Sequence, residues 1–281
     1  PQPSRRGLIV ACCYPQSSMA LEAPEYDAIF YEHLLHRFGF DDVRTLSDRK
    51  LGIESPHRGN IVRGVRWLVA GARPGDSLAF VFAGHGTTAA SLEADTREHM
   101  DRALCASEIE GPDRSSLLLD LDFQALFAPL PPGVLVTCIL DCPYGDTVVR
   151  LPWYYDAKNA SFCRPQPARR SSVWPGIRCC HRSGYTVRGT PPRQLASRAV
   201  PPSDPAGLAS PTASTDLFPG VAAFVLCASR PDQVCFESTG VESRPQGVFS
   251  GCLAAVLQTW MRVSAARCGD GVSNLSRGQG L

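Results

Sequence analysis

The sequence predicts an α/β protein in which a mainly parallel central sheet is flanked by helices. Several short segments are apolar without alternation, which is typical of strands buried on both faces of a parallel sheet. Segments with apolar residues at helical spacing lie between them, and this alternation indicates βαβ units with right-handed crossovers. At 281 residues, of which 44% are hydrophobic, the chain can bury one large core.

Four segments have the apolar composition of buried strands: Gly7–Cys13, Ser77–Ala83, Val134–Leu140 and Val221–Cys227. In a parallel sheet the carboxyl ends of the strands lie at one edge, where α/β proteins place binding and catalytic residues. Residues that directly follow these strands are therefore the first candidates for a functional site.

Four helices are predicted from apolar spacing and capping residues. The first spans Leu21–Phe38 and ends at Gly39, a residue suited to a helix C-terminus. Ser55 and Pro56 open the second, with a capping side chain and a proline in the first turn. The other two are a short helix over 120–127 that Asp120 caps and a longer one over Val248–Met261.

The chain reads as one domain over residues 7–263, with a flexible N-terminus at 1–6 and a flexible tail at 264–281. Residues from about 156 to 219 are rich in Pro, Ser and Arg and have no sustained apolar period. A stretch of this length and composition predicts a mobile insertion rather than an ordinary loop.

Charge and cysteine usage exclude several function classes. The net charge of +1 gives no support for nucleic-acid or membrane-surface binding. No apolar run is long enough to cross a bilayer. The twelve cysteines include no CxxC pair, and the adjacent pairs Cys12-Cys13 and Cys179-Cys180 rarely supply two ligands to one metal. Reduced, buried thiols in a cytoplasmic protein are favoured over a disulfide scaffold.

His85 is the strongest candidate for chemistry, because it lies between Gly84 and Gly86 just past a predicted strand. Such a histidine can act as a general base, and the Gly86 N–H can form half of an oxyanion hole. A Gly-His-Gly turn on its own is more often structural. Cys142 strengthens the catalytic interpretation, since it offers a thiol at the end of another predicted strand.

These two strand ends resemble the active-site motifs of metacaspases. Phe82–Thr87 is similar to the family's histidine motif, and Leu140–Gly145 is similar to its nucleophile motif, Asp-Cys-Cys-His-Ser-Gly. The likeness covers about residues 7–155 and 221–260 and is closest to the metacaspases of trypanosomatid parasites. It implies a caspase-like fold and descent from cysteine endopeptidases of the C14 family.

The resemblance also implies that the nucleophile is lost. The family's nucleophile is the second cysteine of its motif, and Pro143 stands there, followed by Tyr144 in place of a histidine. Proline has neither a thiol nor an N–H for an oxyanion. Cys142 matches the first cysteine and should point away from His85. We expect a pseudopeptidase with a binding or regulatory role; the alternative is an active Arg/Lys-specific cysteine endopeptidase that uses Cys142 with His85.

Asp27 and Asp141 match the two aspartates with which the family binds the Arg or Lys side chain of its substrates. A pocket for basic side chains would then survive without catalysis. The alternative is an aspartate on a helix surface and another in a strand-end turn. The expected partner is a polypeptide with basic residues or an active metacaspase relative, and the oligomeric state stays open.

Metacaspases are commonly activated by Ca²⁺, and Asp101 and Asp120 match two of the carboxylate positions. Two other acidic positions hold Leu119 and Arg150. A guanidinium puts positive charge where the cation would bind, so we expect calcium binding to be lost and no cofactor to be needed. A nucleotide-binding α/β protein is disfavoured, because no Gly-rich phosphate loop follows the first strand.

Overall fold

The computed structural model describes residues 2–90, 100–109, 115–149, 154–156, 161–163, 185–188, 221–229, 235–238 and 244–275. The strands of this part are β1 Arg5–Ala11, β2 Asp42–Ser47, β3 Ser77–Ala83, β4 Gly86–Ala90, β5 Met100–Cys105, β6 Leu117–Leu119, β7 Leu135–Asp141, β8 Tyr154–Asp156, β9 Ser161–Cys163, β10 Tyr185–Arg188, β11 Ala222–Cys227, β12 Cys235–Ser238 and β13 Gln246–Gly247. The helices are α1 Ala23–Arg37, α2 Arg58–Val69, α3 Asp120–Phe127, α4 Gly145–Val148 and α5 Val248–Leu275.

A five-stranded sheet with the order β11-β7-β3-β1-β2 forms the centre of the molecule. All four strand pairs are parallel. Ala11 pairs with Ala83, and Ala83 pairs with Asp141, so β1, β3 and β7 end at the same level. The prediction of an α/β fold with a mainly parallel sheet and flanking helices is confirmed.

Helices cover both faces of this sheet. On one face, the core contains Leu8, Val10, Phe80 and Phe82 with the apolar side of α2 and Phe123 of α3. The ring of Phe123 meets that of Phe80 edge to face at 5.2 Å between centroids. On the other face, Ile9, Val81 and Ile139 pack against Tyr31 and Leu35 of α1 and against Phe249, Leu253 and Leu257 of α5.

The helix ends show which capping predictions were correct. Gly39 has φ +76°, and its N–H donates to the His36 carbonyl while the Phe40 N–H donates to the Leu35 carbonyl. These two hydrogen bonds form a Schellman motif, which confirms Gly39 as the residue that ends α1. The N-cap of α2 is His57 rather than Ser55, because the helix begins two residues after Pro56.

Asp120 is the first residue of α3 and not its cap. The N-cap residue is Leu119, whose backbone N–H donates to Oδ2 of Asp122 at 2.8 Å. Asp120 instead accepts a hydrogen bond from the Leu121 N–H at 2.9 Å through Oδ1. The prediction was wrong because two acidic residues lie in the first turn, and the later one reaches back to the preceding backbone.

Two elements extend beyond the bounds predicted for the domain. β1 begins at Arg5, inside the segment predicted to be a flexible N-terminus, because Ser77 N–H donates to the Ser4 carbonyl and extends the pairing of β1 with β3. α5 continues to Leu275, beyond the predicted end of the domain at residue 263. The short strands β9 and β10 fall within the predicted insertion, whose remainder lies outside the described residues.

Three small sheets accompany the central one, with the strand orders β4-β5-β6, β10-β12-β13 and β8-β9. Within the part of the chain that the structure describes, no helix has the length and apolar character needed to span a membrane.

Candidate active site

His85 lies directly after β3, in a turn that glycine makes possible. A Cβ added at Gly84 would lie 2.8 Å from the hydroxyl oxygen of Tyr14, so a larger residue would push Tyr14 away. The Gly84 N–H donates to the Asp141 carbonyl at 3.3 Å. This bond joins the ends of β3 and β7, which carry the two motifs that the sequence singled out.

The imidazole of His85 is buried, with 2% of the residue exposed, and its orientation is fixed. Nε2 lies 2.7 Å from the carbonyl oxygen of Met19. Because a carbonyl can only accept, this contact places the proton on Nε2 and leaves the lone pair on Nδ1. The ring also lies against Tyr14, with 4.7 Å between centroids. The histidine thus has the tautomer that a base acting through Nδ1 requires.

Tyr14 also ties the backbone of His85 to β5. Its hydroxyl accepts from the His85 N–H at 2.9 Å and donates to the Cys105 carbonyl at 2.7 Å. The Cys105 N–H donates to the His85 carbonyl at 3.0 Å. His85 and Cys105 therefore form a hydrogen-bonded antiparallel pair with a hydroxyl inserted, and the N–H of the next residue, Gly86, points away from β5.

Pro143 lies against Gly86, so the structure brings the two motifs together. A Cβ added at Gly86 would lie 2.0 Å from the Pro143 carbonyl oxygen, which leaves room only for glycine. Pro143 supplies neither a thiol nor an N–H at this point. The next residue, Tyr144, has φ 62° and lies 4.9 Å from the guanidinium carbon of Arg102. At the contact with Gly86, the structure thus places the backbone of Pro143 near the possible base His85, and Pro143 has no nucleophilic side chain.

Cys142 is part of the hydrophobic core and has 0% of its surface exposed. Burial raises the pKa of its thiol well above the ordinary value, and the nearby thiols Cys235 and Cys227 and the carboxylate of Asp141 raise that pKa further. Asp141 itself contacts α5 on the other face of the sheet. Neighbouring side chains here point to opposite faces, as in an extended strand.

Asp27 and Asp141 are both completely buried and meet the same short segment of chain. Asp27 accepts from the Gly247 N–H at 3.0 Å through Oδ1 and at 3.3 Å through Oδ2. Oδ2 of Asp141 accepts from the Ser250 hydroxyl at 2.5 Å and from the Ser250 N–H at 3.3 Å. Gly247 and Ser250 flank the start of α5, so the two carboxylates lie at the positive end of that helix.

Glu237 is a third buried carboxylate in this region that sequence reasoning missed. It is 1% exposed and accepts from the backbone N–H groups of Glu22 and Ala23 at 3.1 and 3.3 Å. These groups lie at the start of α1. No local signal marks Glu237 for this role, because more than two hundred positions separate it from its partners.

Asp101 and Asp120 lie near one another at the edge of the β5–β6 pair. Ala103 pairs with Leu119, which places Asp101 two residues before that pair and Asp120 one residue after it. Both are buried, and Leu119 adds only hydrocarbon beside them. Arg150 lies outside the described residues.

A Ca²⁺ ion takes about six to eight oxygen ligands. Among the residues that the structure places, no three His, Cys, Asp or Glu side chains converge on a point that would hold a metal ion.

Two contacts of His85, and the residue that holds one of them, were also missed by sequence reasoning. Tyr14 and Met19 lie in the loop after β1, and Asp48 follows β2. A signal existed for Tyr14, since it follows the carboxyl end of a predicted strand. Asp48 had none, because β2 is a half-exposed edge strand whose polar sequence does not resemble a buried strand.

A family model and curated proteins match the part of the chain that carries this site. The family model described as the metacaspase, peptidase C14 domain matches residues 5–152. Metacaspase-1 of Meyerozyma guilliermondii is 31% identical over 160 residues, which are 55% of this chain and 38% of that protein. Metacaspase-1 of Yarrowia lipolytica is 31% identical over 159 residues, or 55% and 34% of the two chains. The aligned part thus spans little more than a third of these curated relatives.

A crystal structure of a protein from Geobacter sulfurreducens matches the fold with a TM-score of 0.57. The match covers 91% of this chain and 82% of that one at 18% identity, and at that identity it supports the fold alone. The family match extends over more than half of the chain and includes both strand ends of the site. The chain belongs to the metacaspases, in peptidase family C14.

Proposed function

We propose that this metacaspase is a pseudopeptidase that binds a polypeptide through a basic side chain and does not cleave it. The proposal rests on Pro143, which matches the family's nucleophile position by resemblance and lies against Gly86, the residue after His85. A base without a nucleophile cannot start acyl transfer.

The replacement removes two functions at once. In a serine peptidase, loss of the nucleophile costs on the order of a millionfold in rate. Loss of one oxyanion donor costs about a hundredfold to a thousandfold. Proline removes both the thiol and the backbone N–H of its position, so even a remote substitute nucleophile would work without the second oxyanion donor.

Cys142 is a poor substitute nucleophile. The reactive species is the thiolate, and burial with a raised pKa keeps this thiol protonated at neutral pH. These observations favour a binding role over the active-enzyme alternative.

The retained acidic pair supports a preference for basic side chains. Asp27 and Asp141 correspond to the family's substrate-binding aspartates, and both are buried at the carboxyl edge of the sheet. A buried carboxylate binds a guanidinium strongly, since charge-assisted hydrogen bonds gain strength away from water. The partner is thus a polypeptide that presents an Arg or Lys side chain, or an active metacaspase whose own basic segment enters the pocket.

A reducing compartment such as the cytoplasm is part of the proposal. The cysteines that the structure describes include Cys12, Cys105, Cys142 and Cys235, which are buried in the core. An apolar core rich in reduced thiols suits a protein that is not exposed to oxidising conditions.

Peptide binding tests the proposal without relying on a variant. A fluorescent peptide with one arginine is compared with the same peptide carrying citrulline, which keeps the shape and removes the charge. We expect the arginine peptide to bind at least about tenfold more tightly in fluorescence anisotropy, as expected for loss of one charge-assisted contact. Equal affinity for both peptides, or no binding of either, would remove the basis for a basic-residue pocket.

Variants then locate the contact. Asp27→Asn should reduce the preference for arginine over citrulline, whereas Asp42→Asn, at an exposed position at the start of β2, should leave it unchanged. The ratio of the two affinities is the relevant readout, because a general loss of folded protein lowers both affinities together.

A further inference from the structure

The loop between β1 and α1, residues 12–22, supplies two of the hydrogen bonds that hold His85. Its Met19 carbonyl accepts from Nε2 at 2.7 Å, and its Tyr14 hydroxyl accepts from the His85 N–H at 2.9 Å. The loop is held together by backbone bonds from Ser17 N–H to the Tyr14 carbonyl and from Leu21 N–H to the Cys13 carbonyl. A displacement of Tyr14 would therefore move Met19 as well.

Tyr14 has an unfavourable backbone conformation. Among the described residues, Tyr14 and Tyr144 are the non-glycine residues with positive φ, and that of Tyr14 is 52°. A bulky side chain in this left-handed region is strained and persists only where its surroundings hold it there. Some group outside the loop must supply that restraint.

The carboxylate of Asp48 supplies it. Oδ1 accepts from the Cys13 N–H and Oδ2 accepts from the Tyr14 N–H, each at 2.8 Å. Asp48 directly follows β2, the neighbour of β1, and so lies at the same edge of the sheet as the site. Two charge-assisted bonds to consecutive N–H groups fix the peptide plane between Cys13 and Tyr14.

We infer that Asp48 is a positioning residue, which fixes the tautomer and orientation of His85 through the β1–α1 loop. Asp48 holds Tyr14 in its strained conformation, Tyr14 holds the backbone of His85, and Met19 holds the imidazole. This role of Asp48 concerns the tautomer and orientation of His85. It does not depend on whether the site binds a basic polypeptide or cleaves one.

Asp76 provides a matched control within the same molecule. Its carboxylate also accepts two backbone N–H groups, from Ser4 at 2.7 Å and from Arg73 at 2.9 Å. It precedes β3 and therefore lies at the amino edge of the sheet, the opposite edge from His85. A purely structural role for Asp48 would make the two aspartates equivalent.

NMR of ¹⁵N-labelled protein distinguishes the two roles. The His85 imidazole signals, assigned by their loss in His85→Ala, report which nitrogen carries the proton and how fast that proton exchanges. In the wild type we expect the Nε2–H tautomer with a slowly exchanging proton. Asp48→Asn should speed that exchange by about tenfold and produce a mixture of the two tautomers. Asp76→Asn should lower the urea midpoint of unfolding by a similar amount but leave the His85 imidazole signals as in the wild type.

Tyr14→Phe keeps the ring and removes only the hydroxyl, so it tests the same chain of contacts if Asp48→Asn does not fold. The His85 backbone N–H should then exchange about tenfold faster, because its acceptor is gone. Wild-type imidazole signals in Asp48→Asn, equal changes in Asp48→Asn and Asp76→Asn, or unchanged amide exchange in Tyr14→Phe would overturn the inference.

Discussion

At the scale of single residues, Pro143 and Cys142 decide the chemistry. Pro143 lies where its carbonyl contacts Gly86, at the meeting point of the two strand ends that carry the motifs. Cys142, one residue earlier, is turned into the core. A one-residue step along an extended segment reverses the direction of a side chain, so the Cys142 thiol points to the opposite face of the sheet from the Asp141 carboxylate.

Cysteine alkylation measures this difference directly. In native protein treated with iodoacetamide, Cys142 should react at least about a hundredfold more slowly than Cys252, because a buried thiol with a raised pKa offers little thiolate to the reagent. Mass spectrometry of the labelled peptides gives both rates in one sample.

Cys138 serves as the internal standard for an inert thiol, since it is 1% exposed and burial raises its pKa to about 12. Labelling of Cys142 at the rate of Cys252, and far above that of Cys138, would contradict a structural role for Cys142.

Much of the site was visible at the residue scale, because its motifs are contiguous. His85 and Gly86 follow a strand whose bounds, Ser77–Ala83, the apolar pattern predicted correctly. Asp48, Glu237 and Ser250 could not be found this way. Each acts through a backbone or hydroxyl contact with a distant segment, and nothing in the local sequence marks such a partner.

At the scale of elements, buried carboxylates connect the helices to the sheet. Asp27 of α1 and Asp141 of β7 accept from groups at the start of α5, while Glu237 of β12 accepts from groups at the start of α1. Each helix start carries unsatisfied N–H groups and partial positive charge, which a carboxylate neutralises. Asp27 and Asp141 therefore form the candidate pocket and also hold the start of α5 by hydrogen bonds.

Ser250 tests the structural part of this arrangement. Its hydroxyl donates to Asp141 at 2.5 Å and lies 2.9 Å from the hydroxyl of Tyr31. Ser250→Ala should lower the free energy of unfolding by about 1–3 kcal/mol, because buried polar partners lose their hydrogen bonds. Urea denaturation gives this value.

Thr259→Ala is the matched control, since Thr259 is exposed on the same helix and its hydroxyl bonds only the Ala255 carbonyl in the preceding turn. We expect its effect to stay within about 0.5 kcal/mol. Similar losses of unfolding free energy for the two variants would show that the contact of Ser250 with Asp141 adds no stability beyond helix propensity.

The predictions at this scale succeeded where a segment is regular and buried. The helix over residues 120–127 and the end of α1 at Gly39 were placed correctly, because the side chains of a short helix and a glycine at a helix C-terminus are local signals. β2 and the β4–β5–β6 sheet were missed. Their strands are short or half-exposed, and they pair through contacts between distant segments that a single sequence does not reveal.

At the scale of the whole molecule, the central sheet forms a core that contains many thiols. Burial raises the pKa of Cys13 and of Cys138 to about 12 from an ordinary value of 9.0, and it raises those of Cys12 and Cys142 as well. The unfolded chain therefore loses thiol protons between about pH 9 and pH 12, whereas the folded chain retains them.

This difference makes stability depend on pH in a defined direction. A group whose pKa is raised by folding stabilises the fold below its unfolded pKa, and that contribution disappears as the pH rises through the folded pKa. We expect the free energy of unfolding to fall from about pH 9 upward, as measured by urea denaturation at a series of pH values. Cys138→Ala should reduce the slope in this range, and an unchanged slope would contradict the assignment to thiols.

We propose that this metacaspase does not cleave peptide bonds. Hydrolysis of a fluorogenic substrate ending in Arg or Lys measures this activity directly. Purified protein is assayed with and without Ca²⁺ beside Cys142→Ala and His85→Ala, with an active metacaspase as the positive control. We expect no turnover by the wild type or either variant, with or without Ca²⁺. Turnover that both substitutions abolish would contradict it and would identify Cys142 as the nucleophile.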